Sequence, residues 1–146
     1  MTHIPRAPLW LGLAGLLPFV WGALTILSPG LGQWGAQTLG GRFVGPYVQL
    51  FYGAVILSFM SGVLWGFATK SEHPSGYVLS VIPALWAFFM TGGGPVAASL
   101  NLIVGYLGLL LLDWHFWRLG LAPTWWMHLR VLLTVIVVAT LALVAI

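Results

Sequence analysis

Cysteine is absent from this 146-residue chain and acidic side chains nearly so: Asp and Glu together number two, Lys and Arg five. Without cysteine there is no disulfide framework, no thiolate metal site and no Cys nucleophile. With 5% charged residues, against roughly 25% in a soluble domain, the chain lacks the polar coat that water demands. The basic residues behind its net charge of +3 are too few and too scattered for a nucleic-acid footprint. No Asp, Glu, Lys, Arg or His falls in the middle of an apolar run. Proton relays, ion paths and voltage sensors place such groups inside the membrane, and a haem held between membrane helices needs a buried His. An ion-coupled pump and an intramembrane haem are therefore both disfavoured. The Gly-x-Ser-x-Gly nucleophile elbow is missing too. No residue is singled out as catalytic, and the chain reads as a non-enzyme.

What fills the chain is hydrocarbon. Hydrophobic residues make up 60% of it and the mean hydropathy is +1.03. The apolar residues gather into runs over residues 8–27, 47–69, 76–90, 95–112 and 127–146, near the ~20 residues that cross a ~30 Å hydrocarbon layer. Inside lipid the backbone must satisfy its own hydrogen bonds, so each run is expected to be a helix. A membrane β-barrel would show short alternating strands instead. The expectation is an all-α, single-domain bundle of five transmembrane helices over residues 1–146.

The first run contains Pro18 and is too long for the apolar core of a signal peptide, so it is read as a membrane helix. The third is the shortest, contains Pro83, and ends in Thr91-Gly92-Gly93-Gly94-Pro95. That turn signal makes the third and fourth helices a tight hairpin; a re-entrant third segment, giving four crossings, is the alternative. The Gly-rich link from Ser28 to Pro46 is expected along the interface. The link from Asp113 to Trp126 carries Trp114, Trp117, Trp125 and Trp126, in the manner of an aromatic belt. With five crossings Arg6, Lys70, Arg118 and Arg130 fall on one side and Arg42 on the other. The positive-inside rule puts the N-terminus in the cytoplasm and the C-terminus in the periplasm.

Two features suggest where the protein works. Ala54, Ser58, Gly62 and Gly66 recur every fourth residue in the second helix, and Asn101 and Gly105 form a similar row in the fourth. Small residues at this spacing let helices approach closely. The first reading is packing within the bundle; the second is docking against another membrane protein or a flat ligand such as a quinone or pigment. Among nine Trp, eight Phe and four Tyr, Tyr52, Trp65 and Trp86 are candidates to line such a ligand, although aromatic filler is the commoner use. Asp113, His115, Arg118, His128 and Arg130 are expected as a charged cytoplasmic rim, with Asp113 paired to Arg118 or Arg130. No two His share the i, i+4 spacing of a helical metal motif, and no metal site or resident cofactor is expected.

Three stretches carry a family resemblance: PLWLGLAGLLPF at Pro8 to Phe19, YGAVILSFMSGVLWGF at Tyr52 to Phe67, and Asp113 to the C-terminus with Pro123-x-Trp125 and Leu129-Arg130-x-Leu132-x-Thr134. Together they resemble a family of small bacterial membrane proteins of unknown function whose animal relatives include the mitochondrial transmembrane protein 69. The resemblance implies a multi-pass protein of the bacterial inner (cytoplasmic) membrane and no particular reaction. A non-enzymatic accessory or assembly subunit of a larger respiratory or photosynthetic complex is the expected role, with membrane lipids and other integral membrane proteins as partners and no nucleic acid. A binder or carrier of quinone, isoprenoid or lipid is the alternative.

Overall fold

A computed structural model describes residues 3–146, and the described residues contain helices and no strand. In chain order the helices are α1 (Arg6–Ala14), α2 (Leu17–Leu27), α3 (Pro29–Leu39), a 3-10 turn at Gly41–Phe43, α4 (Tyr47–Ala68), α5 (Ser75–Met90), α6 (Pro95–Arg118) and α7 (Trp126–Ala145). Four helical stretches are long and apolar enough to cross a membrane: Arg6–Leu27, Tyr47–Ala68, Pro95–Arg118 and Trp126–Ala145. α5 has 16 residues, or about 24 Å at 1.5 Å per residue, and falls short of the ~30 Å hydrocarbon thickness. The structure thus upholds the helical membrane bundle and four of the expected spans.

α2, α4, α5, α6 and α7 pack as a closed ring in sequence order, with α4 also touching α6 across the middle. Phe19, Leu57, Leu64, Leu102, Tyr106, Leu109, Phe116 and Leu141 fill the interior. The outer faces are equally apolar, with Leu11, Val55, Phe59, Phe88, Leu111 and Val135 exposed. Helices apolar on every side are the mark of a bundle whose solvent is lipid.

The first expected helix is two. Gly15 and Leu16 separate α1 from α2, and Leu16 N–H reaches back only to Leu13 O at 3.0 Å. Pro18 explains the break, because it has no N–H to give to Ala14 and its ring collides with that carbonyl. The link after α2 is also more ordered than a loop. Ser28 caps α3, its Oγ accepting from Leu31 N at 3.4 Å, and Trp21 Nε1 donates to Phe43 O at 2.7 Å to hold the 3-10 turn against α2. α6 runs past the expected limit at residue 112 to Arg118, since Asp113 and His115 do not interrupt it. It ends where Gly120 turns to φ 76°. There Leu121 N donates to Phe116 O at 3.1 Å and Gly120 N to Trp117 O at 3.0 Å, closing the last carbonyls in a Schellman motif.

Polar side chains in the bundle answer specific backbone needs. Pro83 breaks the hydrogen-bond ladder inside α5, and the N–H of Ala84 turns to Ser61 Oγ of α4 at 2.8 Å. Tyr106 of α6 donates to Gly53 O of α4 at 2.6 Å. Gln49 of α4 donates to Thr140 O of α7 at 2.8 Å, and Asn101 of α6 to Met90 O of α5 at 2.9 Å. In hydrocarbon such bonds tie one helix to the next, each worth about 1 kcal/mol.

Helices approach closely at Gly105. A Cβ there would lie 2.7 Å from Trp86 Cδ1 and 2.8 Å from Leu57 Cδ2, with α4, α5 and α6 all converging. Gly105→Val is expected to destabilise the bundle by about 1–3 kcal/mol through overpacking, seen as a lowered midpoint in denaturant titration of the detergent-solubilised protein.

Candidate functional site

A buried ion pair joins α6 to α7. Asp113 is wholly buried and Arg130 is 5% exposed, and Arg130 Nε donates to Asp113 Oδ2 at 2.8 Å. Trp126 Nε1 donates to the other carboxylate oxygen, Oδ1, at 2.9 Å, while its ring meets Phe67 of α4 edge-on at 5.1 Å. Arg130 lies one turn into α7 and Asp113 little more than one turn from the end of α6, so both sit about 6–8 Å inside their helices. The chain folds this way because the tight turn at Gly120 makes α6 and α7 antiparallel neighbours, and positions 113 and 130 then face each other.

This corrects the expected rim. Of its members Arg118 is exposed, stacked over Trp114 at 4.8 Å; His115 is half-buried and His128 exposed. Asp113 and Arg130 belong to the interior instead. Both lie near helix ends, so the middle of each apolar run is still without an ionisable group. They sit near the ends of their apolar runs, and only the extension of α6 to Arg118 draws Asp113 inside. Two donors to the carboxylate and its charge-compensated partner make burial tolerable, because an unpaired ion there would cost several kcal/mol.

The small-residue stripe of α4 also departs from its first reading. The face of α4 turned inward carries Gly53, Leu57, Met60, Ser61, Leu64 and Ala68. Ala54 is half-buried, but Ser58, Gly62 and Gly66 are exposed. A Cβ built on Gly62 or Gly66 would meet nothing within 4 Å. These residues pack against no helix of the bundle and line an open shallow seam. In α6 Gly105 is buried, and half-buried Asn101 bridges to α5.

Tyr52, Trp65 and Trp86 are not brought together. Tyr52 meets Phe19 edge-on at 5.3 Å near the α2 side of α4. Trp65 lies about 20 Å further along that helix, half-exposed against Tyr77 at 4.7 Å. Tyr52 borders a hollow of about 300 Å³ with Pro18 and Arg42, while Trp86 borders a different, apolar groove of about 310 Å³ between α5 and α6, with Pro83, Gly105 and Gly108. Its indole N–H is committed to Asn101 O at 2.6 Å, so it can offer a ligand only its ring.

Elsewhere His73 and His115 border a hollow of about 300 Å³ at the end of the bundle where α4, α5 and α6 meet. His73 Nδ1 is already taken by Ser75, whose N–H lies at 3.2 Å and whose hydroxyl lies at 2.8 Å. Among the described residues no three His, Asp or Glu side chains gather as a metal site would require. Sequence reasoning missed a further cavity, of about 270 Å³, that opens where α1 breaks into α2 and reaches Arg130 and Thr134 of α7. The signals were available in Gly12, Gly15 and Pro18, and in the i, i+4 pair Arg130 and Thr134. Only the kink brings them to one place.

Residues 4–146 match a family described as a protein of unknown function, DUF3429. The chain is 34% identical to transmembrane protein 69 of Xenopus tropicalis over 148 residues, covering 97% of this chain and 54% of the relative. It is 29% identical to transmembrane protein 69 of Mus musculus over 139 residues, covering 90% and 52%. The chain thus spans about half the length of these curated relatives. No solved structure matches it. With the apolar helices, these likenesses make it a multi-pass membrane protein.

The buried pair yields a prediction. Asp113→Ala strands the Arg130 guanidinium in the interior and is expected to cost about 3–5 kcal/mol, whereas the double change Asp113→Leu with Arg130→Met should recover most of that loss. Denaturant titration of the three proteins in one detergent checks this; equal losses in the single and double variants would contradict it.

Proposed function

The chain belongs to the DUF3429 family of proteins of unknown function, and from that premise we propose that it is a non-enzymatic accessory or assembly subunit of a larger membrane complex, docked through the outer face of α4. The observation that carries this reading is the exposed seam of Ser58, Gly62 and Gly66, where the Cβ positions of both glycines are vacant. A bundle has no internal use for a small-x-x-x-small row turned to lipid, whereas a partner helix can press its backbone into one. Ser58 Oγ already donates to Ala54 O at 2.8 Å, so the seam presents shape rather than unmet polarity. Exposed Val55, Phe59 and Trp65 beside it supply the larger residues that such an interface interlocks.

The proposed setting is a bacterial inner membrane crossed five times, with the N-terminus in the cytoplasm. One end of the bundle carries the start of α1, Lys70 and Arg118; Lys70 Nζ ties the α4–α5 and α6–α7 links together through Leu121 O at 3.1 Å. Arg42 lies at the other end, over Phe51 at 4.3 Å. That asymmetry favours the first end as cytoplasmic. The shortness of α5 is met by local thinning of the bilayer and by the polar links at its two ends.

Because the chain has no cysteine, single introduced thiols report sidedness directly. In intact cells Gly41→Cys and Gly93→Cys should react with an impermeant maleimide, and Ser71→Cys only after permeabilisation. If Gly93→Cys reacts, like Ser71→Cys, only after permeabilisation, α5 does not cross.

For docking, purification in gentle detergent followed by native mass spectrometry should recover a stable membrane partner. Gly62→Leu should release it while changing the stability of the chain by no more than about 0.5 kcal/mol. A monodisperse orphan from the unaltered chain would count against the reading.

A further inference from the structure

The cavity at the α1–α2 break combines features that packing alone does not require. It encloses about 270 Å³ and is bordered by Gly15 and Phe19 at the break, Phe59 on α4, Tyr106 on α6, and Arg130 and Thr134 on α7. Its origin is local. The helix breaks at Gly15 and Leu16, and Gly12 and Gly15, without side chains, border the space beside the break.

The lining is apolar except at Arg130 and Thr134, which are four residues apart and so share one face of α7. Thr134 is 3% exposed, and its hydroxyl has no hydrogen-bond partner among the described residues. An unmet buried hydroxyl is destabilising, and such groups are uncommon enough to need a cause. A helical threonine populates two χ1 rotamers, so a turn of that bond can redirect the hydroxyl toward an occupant. Arg130 gives Nε to Asp113 Oδ2, and a guanidinium carries further N–H donors in the same plane.

These groups define the chemistry of an occupant. Asp113 already neutralises Arg130, so an anion or cation would bring an uncompensated charge into hydrocarbon, and a neutral molecule is favoured. Arg130 can only donate, so that molecule must accept. Phe19, Phe59 and Tyr106 present rings to a flat partner; Tyr106 offers only its ring because its hydroxyl is spent on Gly53 O. The volume lies just under the ~300 Å³ at which sites for drug-sized ligands begin, which suits one ring with its tail left among the lipids.

We propose that this cavity binds the ring of a lipid-soluble quinone, one ring carbonyl accepting hydrogen bonds from Arg130 and Thr134. The site shares Phe59 with the proposed α4 interface but none of Ser58, Gly62 and Gly66, so either inference can fail without the other.

The test uses the full chain in phosphatidylcholine nanodiscs, titrated with carbonyl-labelled decylubiquinone and followed by infrared spectroscopy. A saturable, down-shifted quinone carbonyl band is expected. Thr134→Val keeps shape but removes the hydroxyl, and should weaken binding about fivefold to tenfold. Leu11→Trp crowds the exposed rim of the cavity and should abolish the band. Denaturant midpoints verify that both variants fold. The proposal is overturned if no saturable shift appears, or if neither variant alters it. It is equally overturned if the shifted band belongs to phospholipid ester carbonyls while the quinone band stays in place.

Discussion

Inside a hydrocarbon layer a backbone N–H or C=O has no water to turn to, and each group left unpaired costs several kcal/mol. That constraint explains why the described residues are helical, and it also explains where the polar side chains went. Proline freed backbone groups at two places, and each has a local remedy. In α5 the N–H of Ala84, displaced beside Pro83, is met by Ser61 from the facing helix. At Pro18 the helix breaks instead, and the chain restarts as α2. Tyr106, Gln49 and Asn101 then spend their polar atoms on backbone carbonyls of neighbouring helices, so that helix ties and polar burial are achieved together.

The Asp113–Arg130 pair extends the same rule to charge. Two ions are tolerated away from water because each neutralises the other and Trp126 fills a further acceptor position on the carboxylate. The pair fixes how α7 is rotated against α6. It also leaves a neutral polar spot beside the α1–α2 break, which is why the cavity there differs from the all-apolar groove at Trp86. The outer face of α4 follows the opposite logic. With its seam presenting vacant glycine surfaces and no unmet polar atoms, it is suited to a partner recognised by shape.

Much of the fold was legible in the residues. Runs of apolar residues near the length of a span marked four of the long helices, and Thr91-Gly92-Gly93-Gly94-Pro95 marked the turn between α5 and α6. The shortness of the third segment was visible too, and it emerges as the 16-residue α5. The misjudged features were facial ones. Ser58, Gly62 and Gly66 fit two readings in the sequence, because a stripe of small residues packs equally well against a neighbour in the bundle or a helix outside it. Asp113 was assigned to the rim because it follows the last residue of an apolar run, whereas α6 continues past it. Tyr52, Trp65 and Trp86 were grouped by residue type, although positions 52 and 65 on one helix are separated by most of its length.

The amino-acid sequence by itself determined that this chain must be helical and must live in lipid, because composition and run length set the balance between hydrocarbon and water before any contact forms. It also determined where the chain could turn, through glycine and proline. Only the tertiary structure decided which face of each helix looks inward, because in a helix apolar on all sides no amphipathic stripe distinguishes core from lipid. Rotation was left to a few directional bonds and close approaches: Arg130 to Asp113, Tyr106 to Gly53, and Gly105 against Trp86 and Leu57. Those contacts turned the α4 seam outward and opened the cavity beside Arg130, the two features on which the docking and binding proposals rest.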